Sequence, residues 1–296
     1  MENKIISMPI TAETLNKIKT FYADYQEDNP NPYVVFFAKD KNLSVTVYTS
    51  LMAVFMGKRA EEEALIFGYD PNPNWMFMDS HGGSDEVGTG DYFGPIVVCA
   101  AYIDKDQLSE INALGIKDSK KVSDQFIRDI VPKIIKDFPH SVLILDNKKY
   151  NQLVKAGHNM NSLKAILHNH ALYHLSQKQK GIKYNVIDQF TPEGNYYKYV
   201  NGQQHIVRNT VFETKGESKS PAVALASIIA RYSFLIYMDE INKQVGFELP
   251  LGAGEKVNEV IRRLLDEGKI DLLDSIAKTN FKNTDKAKEE LQPTLL

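Results

Sequence analysis

The stretch Ser84-Asp85-Glu86-Val87-Gly88-Thr89-Gly90-Asp91-Tyr92-Phe93-Gly94-Pro95 leads directly into an apolar run that ends at Ile103. Because neighbouring side chains on a strand point to opposite faces, a strand covered on both faces would carry Asp85 or Glu86 into apolar surroundings. Burying such a charge is costly unless it is paired or bound to a metal ion. The glycines that follow allow a tight turn and the close approach of a ligand to the backbone. The alternative interpretation is an acidic hairpin tip in solvent.

Length and composition bound the class of protein. The chain has 296 residues, which exceeds one typical core, and its 43% hydrophobic and 25% charged content is ordinary for a folded soluble protein. No signal peptide or membrane-spanning apolar run is expected, and no membrane role is predicted. The single cysteine, Cys99, rules out an internal disulfide and indicates a reducing cytoplasm. We expect a cytoplasmic monomer with no obligate protein partner.

The net charge of −3 gives no support for a nucleic-acid partner. Residues 1–70 contain 7 basic and 10 acidic residues and so carry the whole of this excess, while residues 71–296 are balanced. A nucleic acid would therefore have to meet a locally basic face.

Residues 1–70 are predicted to form a small α+β domain. Helical spacing of apolar residues predicts a helix within 8–25, and two β-rich runs within 33–49 predict a hairpin. A second helix is expected over 51–66. Proline and asparagine then indicate a linker, which we place at 71–78.

Residues 79–296 are predicted to form an α/β domain with a mixed sheet flanked by helices. Strands are expected at 81–87, 95–103, 141–145, 183–187 and 205–212, and helices at 105–115, 123–137, 161–177, 221–238 and 255–266. Strands that alternate with helices indicate a layered α/β domain. The tight turn over 88–94 makes the first two strands antiparallel, so the sheet is not purely parallel.

Two further acids stand out by position. Asp188 ends a predicted strand, where ligands of open α/β sheets usually bind; the alternative is an Asx turn. Glu217 precedes the apolar helix at Pro221; the alternative is a charge that favours the helix dipole. Carboxylates without cysteine suit Mg²⁺ or Mn²⁺ rather than Zn²⁺. Two such ions can activate a water and stabilise the leaving oxygen of a phosphodiester.

Basic residues supply the complementary charge. The run Lys117-Asp118-Ser119-Lys120-Lys121 offers lysines that act as point charges for phosphate and a hydroxyl that can donate to phosphate or to a 2′-hydroxyl. Lys215 and Lys219 flank Glu217 and would add positive charge to the same site. The alternative for the run is a polar surface loop before a helix.

Together these motifs resemble the type 2 ribonuclease H family. The pattern Asp-Glu-x-Gly-x-Gly-x-x-x-Gly-Pro matches at 85–95, Lys-Asp-Ser-Lys-Lys at 117–121, the strand-end aspartate at 188, and Lys-Gly-acid-x-Lys-Ser with its apolar helix at 215–230. One such motif would be unspecific, whereas four in the family's order are specific.

Within that family the chain resembles the ribonuclease HIII branch more than ribonuclease HII. Thr89 stands where HII typically has arginine, Asp91-Tyr92-Phe93 follows, and the fourth acid is Glu217 rather than aspartate. The extra N-terminal domain resembles, in that branch, half of a TATA-binding-protein saddle, and the resemblance implies that residues 1–70 are a substrate-binding domain that adds affinity for the hybrid.

The resemblance implies an endoribonuclease that uses Mg²⁺ or Mn²⁺ to cleave the RNA strand of RNA–DNA hybrids, leaving 5′-phosphate and 3′-hydroxyl ends. It implies that the catalytic metal ligands are Asp85, Glu86, Asp188 and Glu217. The substrate-binding residues would be Gly88, Thr89, Gly90, Tyr92, Lys117, Ser119, Lys120, Lys121, Lys215 and Lys219. The glycine turn would approach the 2′-hydroxyls that distinguish RNA from DNA.

Three alternatives stay open from the sequence. Loss of arginine at Thr89 favours runs of several ribonucleotides, but cleavage at a single embedded ribonucleotide, as in HII, is the first alternative. The second is a non-catalytic protein that binds hybrids. The third is another two-metal nuclease of the same broad fold, such as a DNA resolvase.

Overall fold

A small antiparallel sheet forms the first part of the chain. The structure, a computed structural model, describes residues 3–69, 75–116 and 122–285. The strands are β1 (Lys4–Pro9), β2 (Val34–Lys39), β3 (Leu43–Tyr48) and β4 (Met52–Gly57), in the order β1-β4-β3-β2. Helices α1 (Ala12–Phe21) and α2 (Ala60–Ile66) share an apolar core with one face of this sheet.

The predicted hairpin is confirmed, but one other prediction for this region was wrong and one strand was missed. Helix α1 starts at Ala12, within the range of 8–25 predicted for it, whereas strand β1 before it was not predicted. Strand β4 lies where a helix was expected, and only α2 is helical there. Successive β4 residues are buried on opposite faces of the sheet. A strand buried on both faces has a continuous apolar run, which periodicity does not distinguish from a buried helix.

The second sheet has five strands and helices on both faces, which confirms the predicted mixed α/β fold. Its strands are β5 (His81–Val87), β6 (Ile96–Ile103), β7 (His140–Leu145), β8 (Asn185–Asp188) and β9 (Thr210–Glu213), in the order β7-β6-β5-β8-β9. The pairs β5–β8 and β8–β9 are parallel and the others antiparallel. The helices are α3 (Leu108–Ala113), α4 (Asp124–Ile134), α5 (Asn147–Lys155), α6 (Met160–Lys178), α7 (Glu193–Tyr199), α8 (Pro221–Val245), α9 (Glu255–Asp266) and α10 (Leu273–Ile276). Helix α5 was not predicted.

Strand β6 shows how the layers form. Val97 and Cys99 belong to the core that includes α4 and α8, whereas Val98 and Ala100 belong to the core that includes α6. Helix α8 packs on β5 and β6 and is mostly buried. By length and hydropathy α8 is also apolar enough to cross a membrane, contrary to the expectation of no such run, but its burial is that of a core helix.

The second face of the small sheet packs against helix α4 of the second part of the chain. Tyr48 and Met52 share a core with Phe126 on α4, and the Tyr48 hydroxyl donates to Asp129 Oδ2 at 2.7 Å. The Trp75 indole donates to Asn112 Oδ1 at 2.7 Å. The domain division at 71–78 stays a prediction, because much of that linker lies outside the described residues.

Candidate active site

Two neighbouring parallel strands bring three of the predicted acids together. The register of β5 on β8 pairs Ser84 with Ile187, so one further residue along both strands sets Asp85 opposite Asp188. Glu86 follows at the end of β5. All three acids line one cleft of about 430 Å³. Carboxyl ends of adjacent parallel strands are where ligands of open α/β sheets bind.

Asp85 faces α8 and is buried. The hydroxyl of Ser227 and the backbone N–H of Glu86, at 2.8 Å from Oδ1, both donate to its carboxylate. Burial raises the pKa of Asp85 well above its ordinary value, and the nearby charges of Glu86 and Asp188 raise it further. These three effects outweigh the two hydrogen bonds, so the folded chain disfavours the charged form of Asp85.

Glu86 points to the other side of the sheet, toward α6. Its Oε2 accepts a hydrogen bond from His168 Nε2 at 2.9 Å, and its Oε1 forms an ion pair with the ammonium of Lys164. Burial alone would raise the pKa of Glu86, but the hydrogen bonds and charges of His168 and Lys164 together lower it. Two adjacent carboxylates on one strand thus have opposite pKa shifts because they enter different environments.

Glu217 lies in the turn next to this pair of strands. The backbone N–H of Gly216 donates to Asp188 Oδ1 at 2.8 Å, which attaches the turn Gly216–Ser218 to the end of β8. A Cβ at Gly216 would lie 3.2 Å from the Asp188 Cα, so the contact favours glycine. Glu217 itself is 6% exposed and is not among the residues that line the cleft.

The lining of the cleft also includes a positive charge that was not predicted. Arg231 on α8 makes two hydrogen bonds to Asp124, from Nε to Oδ1 at 2.8 Å and from Nη2 to Oδ2 at 3.0 Å. Both residues line the cleft. Arg231 directly follows the apolar motif that ends at residue 230, but no pattern in the sequence distinguishes it from an ordinary surface arginine on a helix.

The glycine turn closes one end of β5. Gly88 has φ of +89°, and a Cβ there would lie 2.1 Å from the carbonyl oxygen of Pro95. Gly90 is exposed and a Cβ there would meet no atom within 4 Å. Thr89 is half-buried between them. Gly88 is therefore required by the fold, while Gly90 leaves space for a ligand.

Tyr92 does not have the position that its prediction requires. Its ring is fully buried, and its hydroxyl shares a hydrogen bond with Thr284 at 2.8 Å. A base can stack only on an accessible ring face. Packing against the C-terminal segment explains this tyrosine, and its burial contradicts the substrate-binding role predicted for it.

The predicted lysines are only partly described. The run Lys117, Ser119, Lys120 and Lys121 lies outside the described residues; the chain resumes at Val122, which lines the cleft. The ammonium of Lys219 forms an ion pair with Glu213, beside Asp188 on the neighbouring strand. Lys215 is exposed and has φ of +55°, a left-handed conformation unusual for a residue with a side chain.

The cleft suits a hard divalent cation. Its ionisable ligands are carboxylates, and the repulsion that raises the Asp85 pKa is what a bound cation would relieve. Among residues 3–69, 75–116 and 122–285, no group of three or more histidine, cysteine, aspartate or glutamate side chains is arranged so that it could hold a metal ion by itself. Water and substrate phosphate would have to supply the remaining ligands, as is usual for Mg²⁺.

Sequence reasoning missed Lys164 and His168. They are four residues apart on α6 and both are buried, although lysine is rarely buried. The available signal was a basic pair spaced i, i+4 in a helix of mixed polar and apolar residues, which is not a specific signal. Their partner Glu86 is 78 residues or more away along the chain, so the sequence does not indicate the contact.

Comparisons with known proteins identify a family to which this chain is similar over most of its length. The sequence model of the ribonuclease HII family matches residues 82–284, and a domain of unknown function, DUF3378, matches residues 6–74. Ribonuclease HIII of Lactococcus lactis subsp. lactis (strain IL1403) is 40% identical over 269 residues, covering 90% of this chain and 92% of that protein. Ribonuclease HIII of Bacillus subtilis (strain 168) is 38% identical over 307 residues and covers 97% of each chain. The crystal structure of Bst-RNase HIII in complex with Mn²⁺ is 35% identical, with a TM-score of 0.71 over 98% of this chain and 99% of that one.

Proposed function

The chain belongs to the ribonuclease HIII family and is a metal-dependent ribonuclease, and from that membership we propose that it cleaves the RNA strand of RNA–DNA hybrids. The reaction is endonucleolytic hydrolysis: water attacks phosphorus, the 3′-oxygen leaves, and the ends are a 5′-phosphate and a 3′-hydroxyl. The observation that supports this most is the meeting of Asp85, Glu86 and Asp188 in one cleft.

These acids, with Glu217 from the adjoining turn, are the proposed holders of Mg²⁺ or Mn²⁺. Such ions, when bound, lower the pKa of water and neutralise charge on a phosphodiester. Ser227 orients the Asp85 carboxylate, and Gly216 orients that of Asp188. Arg231 lies in the same cleft and offers a guanidinium to the phosphate once the ion pair with Asp124 opens.

The glycine turn is the proposed element that distinguishes RNA from DNA. Thr89 and Gly90 are accessible at the end of β5, so their backbone can approach a 2′-hydroxyl, which DNA lacks. Lys117, Ser119, Lys120, Lys121, Lys215 and Lys219 are proposed to hold the phosphates. Because Thr89 replaces arginine, runs of several ribonucleotides are the proposed substrate, and the small sheet adds affinity for the hybrid. A cytoplasmic monomer remains the proposed form.

A duplex panel tests the proposal. The full chain is given matched RNA–DNA, DNA–DNA and RNA–RNA duplexes with Mg²⁺ or with Mn²⁺, and a DNA duplex that contains one ribonucleotide. We expect cleavage of the hybrid alone, with products that a 5′-phosphate-dependent exonuclease degrades. Cleavage of the DNA duplex only, or of the single-ribonucleotide duplex in preference to the hybrid, would contradict the proposed substrate.

The variant Asp85→Asn tests the site. It keeps the shape of the side chain and removes its charge, so we expect cleavage to fall by about 10³-fold or more while hybrid binding, measured by fluorescence anisotropy, changes little. The exposed α9 variant Asp266→Asn is the matched control and should cleave normally. Unchanged cleavage by Asp85→Asn would refute the assignment.

A further inference from the structure

Lys164 and His168 hold Glu86 from one face of α6. Their spacing of four residues places both above the end of β5, where each engages a different oxygen of the Glu86 carboxylate. The Lys164 side chain is 10% exposed and that of Glu86 12%. A lysine this deeply buried normally has a counter-charge, and here the counter-charge is Glu86.

The surroundings of this pair fix its geometry. The Lys164 ammonium lies 4.0 Å from the centre of the Phe190 ring, and the His168 ring stacks on the same ring with centres 5.3 Å apart. His168 Nδ1 also shares a hydrogen bond with Ser84 Oγ at 2.7 Å. Three elements, β5, α6 and the segment after β8, therefore position the two basic groups at Glu86.

This arrangement supplies Glu86 with positive charge from within the protein. The residue Glu86 also lines the cleft with Asp85 and Asp188, where a divalent ion is proposed to bind. An ammonium and a metal ion near one carboxylate repel each other and neutralise the same charge. Lys164 is thus both a support for Glu86 and a competitor of the ion.

We propose that Lys164 acts as an internal counter-cation of Glu86 and, as a positioning residue, limits how tightly the cleft binds a divalent ion. The proposal rests on the proposed function, in which Glu86 contributes to the metal site. It assigns Lys164 no contact with substrate.

Removal of the Lys164 charge should strengthen metal binding. In Lys164→Met the buried Glu86 carboxylate keeps only His168 as a partner. The negative charge of Glu86, which Lys164 no longer neutralises, then attracts a divalent ion more strongly. One unit charge a few ångströms from a divalent ion changes affinity by about tenfold even at the dielectric constant of water. A residue with a merely structural role would, when removed, weaken metal binding instead.

The experiment is calorimetric titration of the full-length, metal-free protein with Mn²⁺, without nucleic acid. We expect a dissociation constant about tenfold lower in Lys164→Met and Lys164→Gln than in wild type. Lys164→Arg keeps the charge and should stay near wild type. The matched control is Lys178→Met, which removes an exposed lysine from the last turn of the same helix and should not change the constant.

The melting temperature with and without Mn²⁺ is a second measurement, for use if a variant folds poorly. Mn²⁺ should raise the melting temperature of the Lys164 variants more than that of wild type, and Lys164→Gln retains a hydrogen-bond donor if Lys164→Met does not fold. Unchanged or weaker Mn²⁺ binding in both variants would overturn the proposal. Absence of Mn²⁺ binding and of hybrid cleavage in wild type would instead overturn the proposed function.

Discussion

Gly88 and Gly90 belong to one motif, but glycine is needed at the two positions for different reasons. The first has a left-handed backbone and no room for a Cβ, and the second has an ordinary φ and open space around it. A sequence pattern treats both glycines alike, whereas the structure separates a requirement of the fold from a requirement of the ligand.

The two alanine variants should therefore behave differently. Gly88→Ala should lower the free energy of unfolding by about 1–3 kcal/mol, because of positive φ and the clash with Pro95. Gly90→Ala should unfold like wild type, within about 0.5 kcal/mol, yet raise KM for the hybrid severalfold. Urea unfolding and steady-state kinetics measure both. A Gly90→Ala variant with an unchanged KM would exclude a close backbone approach at that residue.

Asp85 gives the metal-free protein a defined dependence on pH. Burial, and then the charge of Glu86, raise the pKa of Asp85 in the folded state above its unfolded value of about 4. The folded state thus retains a proton that the unfolded state releases. This contribution to stability is fully present below about pH 4 and is lost as the pH rises through the raised pKa.

Asp85→Asn should accordingly gain stability over wild type at pH 8 and much less at pH 5. The expected gain at pH 8, with EDTA present, is about 1–3 kcal/mol, because the variant buries no charge. Urea unfolding at both pH values measures it, and the exposed Asp266→Asn variant should show no such dependence. An equal gain at pH 5 and pH 8 would mean that Asp85 ionisation is not the cause.

Helix α8 connects the cleft to the glycine turn. Ser227 and Arg231 line the cleft from this helix, and the Phe234 ring lies under Gly88. The N-cap of the helix is Ser220, whose hydroxyl accepts a hydrogen bond from the Val223 N–H at 3.2 Å and shares another with His81 Nε2 at 2.7 Å. One fully buried cap therefore supports the element that positions both parts of the site.

Ser220→Ala should lower the free energy of unfolding by about 1–2 kcal/mol, since it removes the cap and leaves a His81 nitrogen without its partner. Ser233→Ala on the same helix is the control. Its hydroxyl donates to the Ile229 carbonyl oxygen within the helix, so its loss should cost less than about 0.5 kcal/mol. An equal decrease in the free energy of unfolding in the two variants would show that the Ser220 cap stabilises the helix no more than an ordinary serine hydroxyl does.

The sequence predicted the large sheet better than the small one, for a physical reason. Gly88 and Gly94 lie between strands β5 and β6, and β6 is rich in β-branched residues, so the type of both elements was clear. Strand β4 reads Met-Ala-Val-Phe-Met-Gly, a continuous apolar run without alternation, and was mistaken for a helix. Helix α5 is mostly polar, with few apolar residues to set a period, and was not recognised at all.

The site shows the same division. Asp85, Glu86 and Asp188 were recognisable because each lies at a strand end within a motif, and the structure brings them to one cleft. Lys164 and His168 were not recognisable, because a contact between a helix and a distant strand is set by packing of layers. Short motifs identify functional residues that are close together in the sequence. Residues that contact them from a distant part of the chain can be identified only from the structure.

The whole molecule should unfold as one unit, although it has two sheets. Tyr48 and Met52 of the small sheet share a core with α4, and the Tyr48 hydroxyl donates to Asp129. Trp75, the single tryptophan, is buried near α3. We expect its fluorescence and the far-ultraviolet circular dichroism to change at the same urea concentration.

The variant Tyr48→Phe should lower the free energy of unfolding by about 0.5–1.5 kcal/mol, because Asp129 loses a hydrogen bond. Both transitions should therefore move together to a lower urea concentration. Its rate of hybrid cleavage should not change. A circular dichroism transition that precedes the fluorescence change would mean that the small sheet unfolds independently.

The position of Cys99 has a practical consequence for spectroscopy. It is the single cysteine of the chain, it is completely buried in β6, and burial raises the pKa of its thiol, so little reactive thiolate forms. A maleimide dye should therefore bypass it and attach to a cysteine introduced on the surface. Val35→Cys, at an exposed position of β2, would place one fluorophore on the small sheet with the native background intact.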